Sequence, residues 1–359
     1  MGSVLACRVT TQHTRMVSLL ERATEARVTP GAVLAYRTRE GDAKLEAVGA
    51  RSYGGPSTTT DTLYDAASLT KVTATLPSIL RLVAEGEIAL SDRVDRFFSA
   101  AGWFRSPSLA EVTIEALLRH DSGLPSWLPL YASLSNRRTA LAAVLNAPIE
   151  KPGEVVYSDL GFMLLGAIVE RVSHQRLDAF ARSNVFEPLG MYATTYLPEG
   201  AGPFAPTEDC GWRDRLLEGE VHDENATVWD GVSGHAGLFS TAPDLLTYAH
   251  AWLARDARLG PEWLLETCTR EYAVGTSGER RGLGWMLGWS GCPGGPDTPE
   301  TSFGHTGFTG TSMWIEPEAG IATVLLTNRV HPRRGSPAEI AQLRKDVHTA
   351  VRTTVQERD

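Results

Sequence analysis

The sequence predicts an α+β protein, an antiparallel sheet flanked by helices and assembled from both ends of the chain, with a mostly helical lobe inserted between. Three observations predict it. Strand patterns appear before Ser68 and resume after Gly231. Between Glu85 and about Thr227 helical segments alternate with Pro/Gly-rich loops, and amphipathic helices bracket the strands at either end. On this reading residues 10–84 and 228–357 form an α/β lobe around the central sheet and residues 85–227 form the inserted lobe. The active site is expected in the cleft between them.

Taken in order, Thr14 to Arg27 carries Met16, Val17, Leu20, Ala23 and Ala26 on one stripe, the pattern of an amphipathic helix. Gly31 to Arg37 and Leu45 to Ala50 read as strands joined through Glu40-Gly41-Asp42 into a hairpin. A polar loop from Ser52 to Thr62 and an extended Leu63-Tyr64 lead to a helix predicted from Asp65 through Leu82. In the middle block Thr113 caps a helix to His120, and Leu160 to Val172 is apolar nearly all round, as a buried helix is. Ala201 to Thr227, rich in Pro, Gly and charge, is expected to drape over a surface. Thr241 then caps a helix from Pro243 to Leu253. Gly282 to Trp289, Phe303 to Thr306, Thr311 to Ile315 and Ile321 to Thr327 read as successive antiparallel strands, and Ala338 to Val355 as a closing helix.

Composition excludes several classes. With 359 residues, 42% hydrophobic and 21% charged, the chain is globular with a sizeable core. A net charge of −9 and the lack of a Lys/Arg cluster argue against nucleic acid as a partner. No apolar run reaches the roughly 18–20 residues of a membrane span. Cys7, Cys210, Cys268 and Cys292 are scattered, so neither a disulfide framework nor a zinc knuckle is expected, and no cofactor is implied. Only six residues precede Cys7 in Leu-Ala-Cys, too few for a signal core. The expectation is a cytoplasmic protein as written, periplasmic or secreted if a signal has been removed.

Chemistry concentrates at Asp65-Ala-Ala-Ser-Leu-Thr-Lys71. A serine and a lysine three apart on a helix share a face, so the Lys71 amine can reach Ser68 Oγ. Serine attacks at neutral pH only when a base takes its proton, and an amine can be that base when burial lowers its pKa. Lys71 lies among Leu69, Val72, Leu76, Ile79, Leu80 and Val83, a helix apolar enough to be buried, so its charge requires a partner.

Further along, Tyr157-Ser-Asp159 and His305-Thr-Gly307 complete an ordered set with Ser68-Leu-Thr-Lys71 that resembles the three signatures of serine β-lactamases and penicillin-binding proteins. The tyrosine of the second motif resembles the branch of class C β-lactamases, D,D-carboxypeptidases, D-aminopeptidases and related esterases. Leu117-Leu-Arg-His-Asp-Ser-Gly-Leu-Pro125 and Gly234-His-Ala-Gly-Leu-Phe-Ser-Thr241 are similar to the same branch. Val221-His-Asp-Glu-Asn-Ala226 looks most like the group that includes penicillin-binding protein 4B. The likeness runs from about Ala32 to Asn328.

The resemblance implies a β-lactamase/transpeptidase-like fold and a serine hydrolase acting through an acyl-enzyme on a small ester, amide or peptide. Carboxypeptidase or esterase activity is favoured over a class C-like β-lactamase or a penicillin-binding sensor that does not turn over. It implies Ser68 as nucleophile, Lys71 and Tyr157 sharing the proton work, and an oxyanion hole from the N–H groups of Ser68 and Phe308. Gly307 lets the strand edge approach the acyl group. The family's third motif has a lysine where this chain has His305, ahead of Thr306, so His305 is expected to supply a partial charge near pH 7 and a steep pH dependence. Asp159 stands where asparagine is common and accepts only, either as a partner that keeps Lys71 charged or as a contact for a cationic substrate group. No asparagine has a glutamate four residues before it, which excludes the class A deacylation route.

Three other groups read as structural. His222, Asp223 and His235 carry metal-ligating chemistry, but adjacent His-Asp on a loop reads as a hydrogen-bonded pair at the cleft's rim. His120 reads as a helix C-terminal dipole partner. Trp212, Trp229, Trp285 and Trp289 read as core or interface residues.

Overall fold

In the computed structural model, which describes residues 15–357, both ends of the chain feed one sheet. Eight antiparallel strands lie in the order Lys44–Gly49, Gly31–Thr38, Ile321–Thr327, Ser312–Glu316, Phe303–Thr306, Met286–Leu287, Arg280–Arg281 and Ala273–Val274. Ala32 stands opposite Thr327 and Tyr36 opposite Thr323, which joins the N-terminal hairpin to the C-terminal strands. Cys7, and with it the question of export, lies outside the described residues, as does Thr14 at the start of the first helix.

The strand Gly31–Thr38 lacks polar alternation because both its faces are covered. Ala32, Leu34 and Tyr36 pack with Met16, Leu20, Val347 and Val351 from the helices at residues 15–25 and Pro337–Gln356. Val33 and Ala35 belong to the larger core, shared with Leu76–Ala84, Asp159–Ser173 and Ala242–Leu253. A fully buried residue such as Leu34 contributes about 1.5–3 kcal/mol by leaving water.

Gly282 to Trp289 is not one strand. Residues 282–285 form a tight connection between Arg280–Arg281 and Met286–Leu287. Gly284 takes φ +78°, and a Cβ at Gly282 would lie 2.3 Å from the Cys268 carbonyl oxygen. A second, three-stranded sheet of Tyr64–Asp65, Leu238–Ser240 and Thr195–Tyr196 was not legible in the helical block. The stretch from Ala201 to Thr227 does more than drape over a surface: Ala205, Leu217, His222, Asn225 and Ala226 are buried, and Glu224–Val228 is helical.

The helix after Ser68 also starts later than expected. Ala66 to Lys71 is wound in i→i+3 turns, with Leu69 N–H donating to Ala66 O, Thr70 N–H to Ala67 O and Lys71 N–H to Ser68 O. Lys71–Thr75 is a π-turn, and regular α-helix runs only over Leu76–Ala84. Pro77 lacks the N–H that would bond Thr73 O, so a regular ladder cannot pass through this point. The Tyr248 hydroxyl donates to Val72 O, and Thr75 Oγ1 donates to Gly234 O at 2.7 Å.

The closing helix is tied to the sheet by a buried ion pair. Arg352 Nε lies 2.6 Å from Glu316 Oε2, and Arg352 also donates to Gly294 O and Pro296 O. Arg352→Ala leaves the Glu316 carboxylate buried and unpaired, so the denaturant midpoint should fall by the equivalent of about 3–5 kcal/mol. The Arg352→Met, Glu316→Leu double variant should recover most of that loss. A single variant as stable as wild type would show that the pair contributes little.

Candidate active site

Winding in i→i+3 turns brings residues three apart nearly into line, and that is the spacing of Ser68 and Lys71. Lys71 Nζ donates to Ser68 Oγ at 3.1 Å and to His235 O at 3.1 Å. Asp159 Oδ1 sits 2.6 Å from the same nitrogen. Lys71 is fully buried and Ser68 half-buried. Three oxygens thus meet the three protons of an ammonium.

The expectation of a base freed by burial does not hold. Burial works to lower the Lys71 pKa, but the Asp159 carboxylate and Tyr157 phenol beside it outweigh that effect, and its pKa is raised above the ordinary lysine value. Of the two roles open to Asp159, the geometry fits the partner that keeps Lys71 charged.

The Leu117 to Pro125 stretch cradles the second motif. His120 ends its helix in the left-handed conformation, φ +63°, and its Nδ1 accepts the Ser158 N–H at 3.0 Å. Ser158 Oγ donates to Pro125 O at 2.6 Å, and Asp159 N–H donates to Ser126 O at 3.0 Å. Ser158 also caps the helix Asp159–Ser173, whose first residue is therefore fixed in front of Lys71. The His120 ring lies 4.7 Å from the Tyr157 ring. Burial, then Arg281 and Lys71, hold its pKa well below the usual histidine value, so a cationic partner for the helix dipole is excluded.

The third motif meets the Ser68 turn edge to edge. Thr309 Oγ1 donates to Asp65 O at 2.8 Å and Thr311 Oγ1 to Ala66 O at 3.1 Å. A Cβ on Gly307 would lie 2.6 Å from Ala66 O, so only glycine fits there. Arg344, reaching in from the closing helix, donates to Gly307 O at 2.6 Å and Thr311 O at 3.0 Å. Thr306 ends the strand half-buried, while Phe308 is 47% exposed. No backbone acceptor among the described residues takes the N–H of Ser68 or of Phe308.

His305 is corrected. It is buried, with its ring 5.9 Å from that of Tyr157, and Nδ1 donates to Thr306 O at 2.8 Å. Burial, then the charges of Arg281 and Lys71, push its pKa well below the usual value, so it supplies no charge near pH 7. The cation in this quarter is Arg281, which sequence reasoning missed. Its guanidinium lies 5.3 Å from the Tyr157 ring centre, which Lys71 Nζ also approaches, at 5.0 Å. Burial lowers the Arg281 pKa to about 10, which leaves it charged at neutral pH. Its Nη2 pairs with the Glu279 carboxylate, while Nε and Nη1 have no protein partner among the described residues. The available signal was the missing lysine of the third motif, which leaves a charge to be supplied from elsewhere.

His222 and His235 are buried and Asp223 is part-exposed, with the His222 ring stacked on that of Phe308 at 5.6 Å. His222 Nε2 is 2.8 Å from Glu208, and His235 Nε2 is 2.9 Å from Asp223. No group of three or more metal-ligating side chains is found among the described residues. Trp229 and Trp285 are core residues and Trp289 is half-buried, but Trp212 is 49% exposed, edge-on to Tyr131 at 5.0 Å.

The beta-lactamase family model matches residues 17–346. The chain belongs to the beta-lactamase family. It is 32% identical over 321 residues to an N-acetylmuramyl-L-alanine amidase of Bacillus subtilis, covering 78% of this chain and 71% of that protein. It is 33% identical over 316 residues to a putative D-alanyl-D-alanine carboxypeptidase of Escherichia coli K12, covering 78% and 72%. In fold it is similar to the octameric penicillin-binding protein homologue from Pyrococcus abyssi, with TM-score 0.73, 24% identity, and 91% and 75% of the two chains covered. It is also similar in fold to the D-amino acid amidase of Ochrobactrum anthropi SV3, with TM-score 0.76, 21% identity, and 97% and 100% covered. Like its relatives in the beta-lactamase family, the chain is a serine hydrolase.

This family member buries His120, His305 and His348 in neutral form, the last with its pKa lowered to about 3 by burial and by Arg352 and Arg344. The unfolded chain binds protons on these groups that the folded chain does not. Their contribution to stability is therefore complete above about pH 6.5 and is lost as pH falls below it. Histidine NMR signals, assigned with His305→Gln, should show no His305 titration between pH 5 and 8. A midpoint near 6.5 would restore the charged role.

Proposed function

We propose that Ser68 is the nucleophile of an acyl-enzyme hydrolase that releases D-amino acids from small peptides, and that also accepts simple esters. The observation that carries this reading is the Ser68 hydroxyl at 3.1 Å from a buried Lys71 held by Asp159 at 2.6 Å, with the Tyr157 ring beside the same amine. As Ser68 Oγ attacks the acyl carbon, the Tyr157 hydroxyl takes up its proton while giving its own to the departing amine or alkoxide, and the Lys71 ammonium stays charged beside both oxygens. Negative charge forming on either oxygen meets the Lys71 ammonium, and Arg281 lies near the same Tyr157 ring. The free N–H groups of Ser68 and Phe308 are the candidate oxyanion donors, contributing about 2.7–4 kcal/mol each when preorganised.

The substrate class is argued from charge. Although the chain carries −9 overall, Arg281, Arg329 and Arg344 gather around the third motif. Arg344 spends its hydrogen bonds on the carbonyls of Gly307 and Thr311, and Arg329 on those of Phe308 and Gly335. Glu279 offsets the charge of Arg281, but Arg329 and Arg344 meet only carbonyls, and their positive field favours an anion such as a peptide ending in a free carboxylate. A D-alanyl-D-alanine carboxypeptidase is the name borne by one group of relatives, which supports the same choice.

Turnover of an acylated-lysyl-D-alanyl-D-alanine peptide, p-nitrophenyl acetate and a chromogenic cephalosporin tests the reading. The peptide should be cleaved faster than its C-terminal amide, the ester should turn over, and the cephalosporin should be slow. Ser68→Ala should reduce all rates by on the order of 10⁴-fold or more, and Arg281→Met should reduce peptide kcat/KM by about 100-fold. Rapid cephalosporin hydrolysis would favour a β-lactamase. A stable penicillin adduct without turnover would favour a sensor.

A further inference from the structure

The third oxygen on the Lys71 ammonium is the His235 carbonyl, and the side chain of that same residue is locked at both ring nitrogens. Nδ1 lies 2.8 Å from Ser233 Oγ and Nε2 lies 2.9 Å from Asp223 Oδ1. His235 is buried and neither ring nitrogen touches Ser68. It stands in the run Gly234-His-Ala-Gly237, whose other members have little or no side chain with which to fix a backbone. Gly234 packs so closely on the helix Asp159–Ser173 that a Cβ would lie 2.0 Å from Phe162 O. Thr75 Oγ1 and the Tyr196 hydroxyl hold the carbonyls of Gly234 and Ser233 just before it, but the His235 residue itself needs its own anchor. Here the imidazole provides it.

Asp223 carries this hold back to the nucleophile's own turn. Its neighbour His222 donates its N–H to Asp65 Oδ2 at 2.7 Å, and Asp65 Oδ1 accepts the Ala67 N–H at 2.8 Å. A continuous path therefore runs from Ala67 through Asp65, His222, Asp223 and His235 to Lys71, closing around Ser68. Asp223 also caps the helix Glu224–Val228 by accepting the Ala226 N–H at 2.7 Å. The same oxygen, Oδ1, serves both the cap and His235 Nε2, so the two duties are lost together when Asp223 is truncated.

We propose that His235 and Asp223 are positioning residues that hold the Lys71 amine against Ser68 Oγ by aiming the His235 carbonyl. This inference rests on the reading of Ser68 as nucleophile. A displacement of about 1 Å in a reacting pair can reduce a rate by about 100-fold, so a small shift of Lys71 is sufficient.

The test uses the full chain with p-nitrophenyl acetate turnover and the rate of Ser68 labelling by a fluorescent fluorophosphonate. Asp223→Ala removes the His235 contact together with the helix cap, so its fold is checked by circular dichroism. Both it and His235→Ala should lower kcat and the labelling rate by about 10- to 100-fold with KM within about threefold. The double variant should be no slower than the slower single one, because the two side chains act as one unit. His235→Gln places an amide donor toward Asp223 and His235→Asn places one toward Ser233, so the first should recover most of the rate and the second little. The glutamine and asparagine pair decides the matter even if the truncated variants fail to fold. Equal rates for that pair, unchanged kcat in folded Asp223→Ala, or additive losses would overturn the proposal. Failure of wild type to label at Ser68 would instead overturn the nucleophile assignment.

Discussion

The contact between the Lys71 ammonium and the Asp159 carboxylate, at 2.6 Å, governs the rest of the site. A fully buried amine would ordinarily shed its proton, because burial disfavours the charged form. Here the carboxylate and the Tyr157 phenol reverse that tendency, and the amine meets Ser68 Oγ as a donor. Breaking such a pair leaves an uncompensated charge inside the protein, which is why so much of the chain is arranged to keep it intact.

That arrangement draws on separate parts of the sequence. The turn from Ala66 to Lys71 supplies Ser68 and the amine, and the cap at Ser158 sets Asp159 at the head of a buried helix. The strand Phe303–Thr306 and the Gly307 turn close the third side, pinned by Thr309, Thr311 and Arg344. Loops that look irregular in sequence are thus ordered here by side-chain to backbone hydrogen bonds, which bear no periodic signature.

Much of this was legible beforehand because it follows from local chemistry. Gly31 to Arg37 reads as a strand, Thr113 and Thr241 cap helices, and the three motifs come in an order that few folds share. What escaped depends on contacts between distant segments. Arg281 sits in a polar Glu279-Arg-Arg-Gly282 stretch and matters only because the Tyr157 ring lies over it. His305 is charged or neutral according to burial and the neighbouring Arg281 and Lys71, none of which its tripeptide reveals. The π-turn at Lys71–Thr75 required pairing Pro77 with a carbonyl four residues back, and Gly282 to Trp289 passed for a strand because its apolar residues hide two functional glycines.

The central claim is the protonation state of Lys71. The chain has only four lysines, Lys44, Lys71, Lys151 and Lys345, so protein labelled with ¹⁵N at lysine Nζ gives a spectrum simple enough to assign with Lys71→Arg. The Lys71 nitrogen should resonate as an ammonium at neutral pH and titrate above the ordinary lysine value near 10.5. A Lys71 signal already in the free-amine form at pH 7 would contradict it.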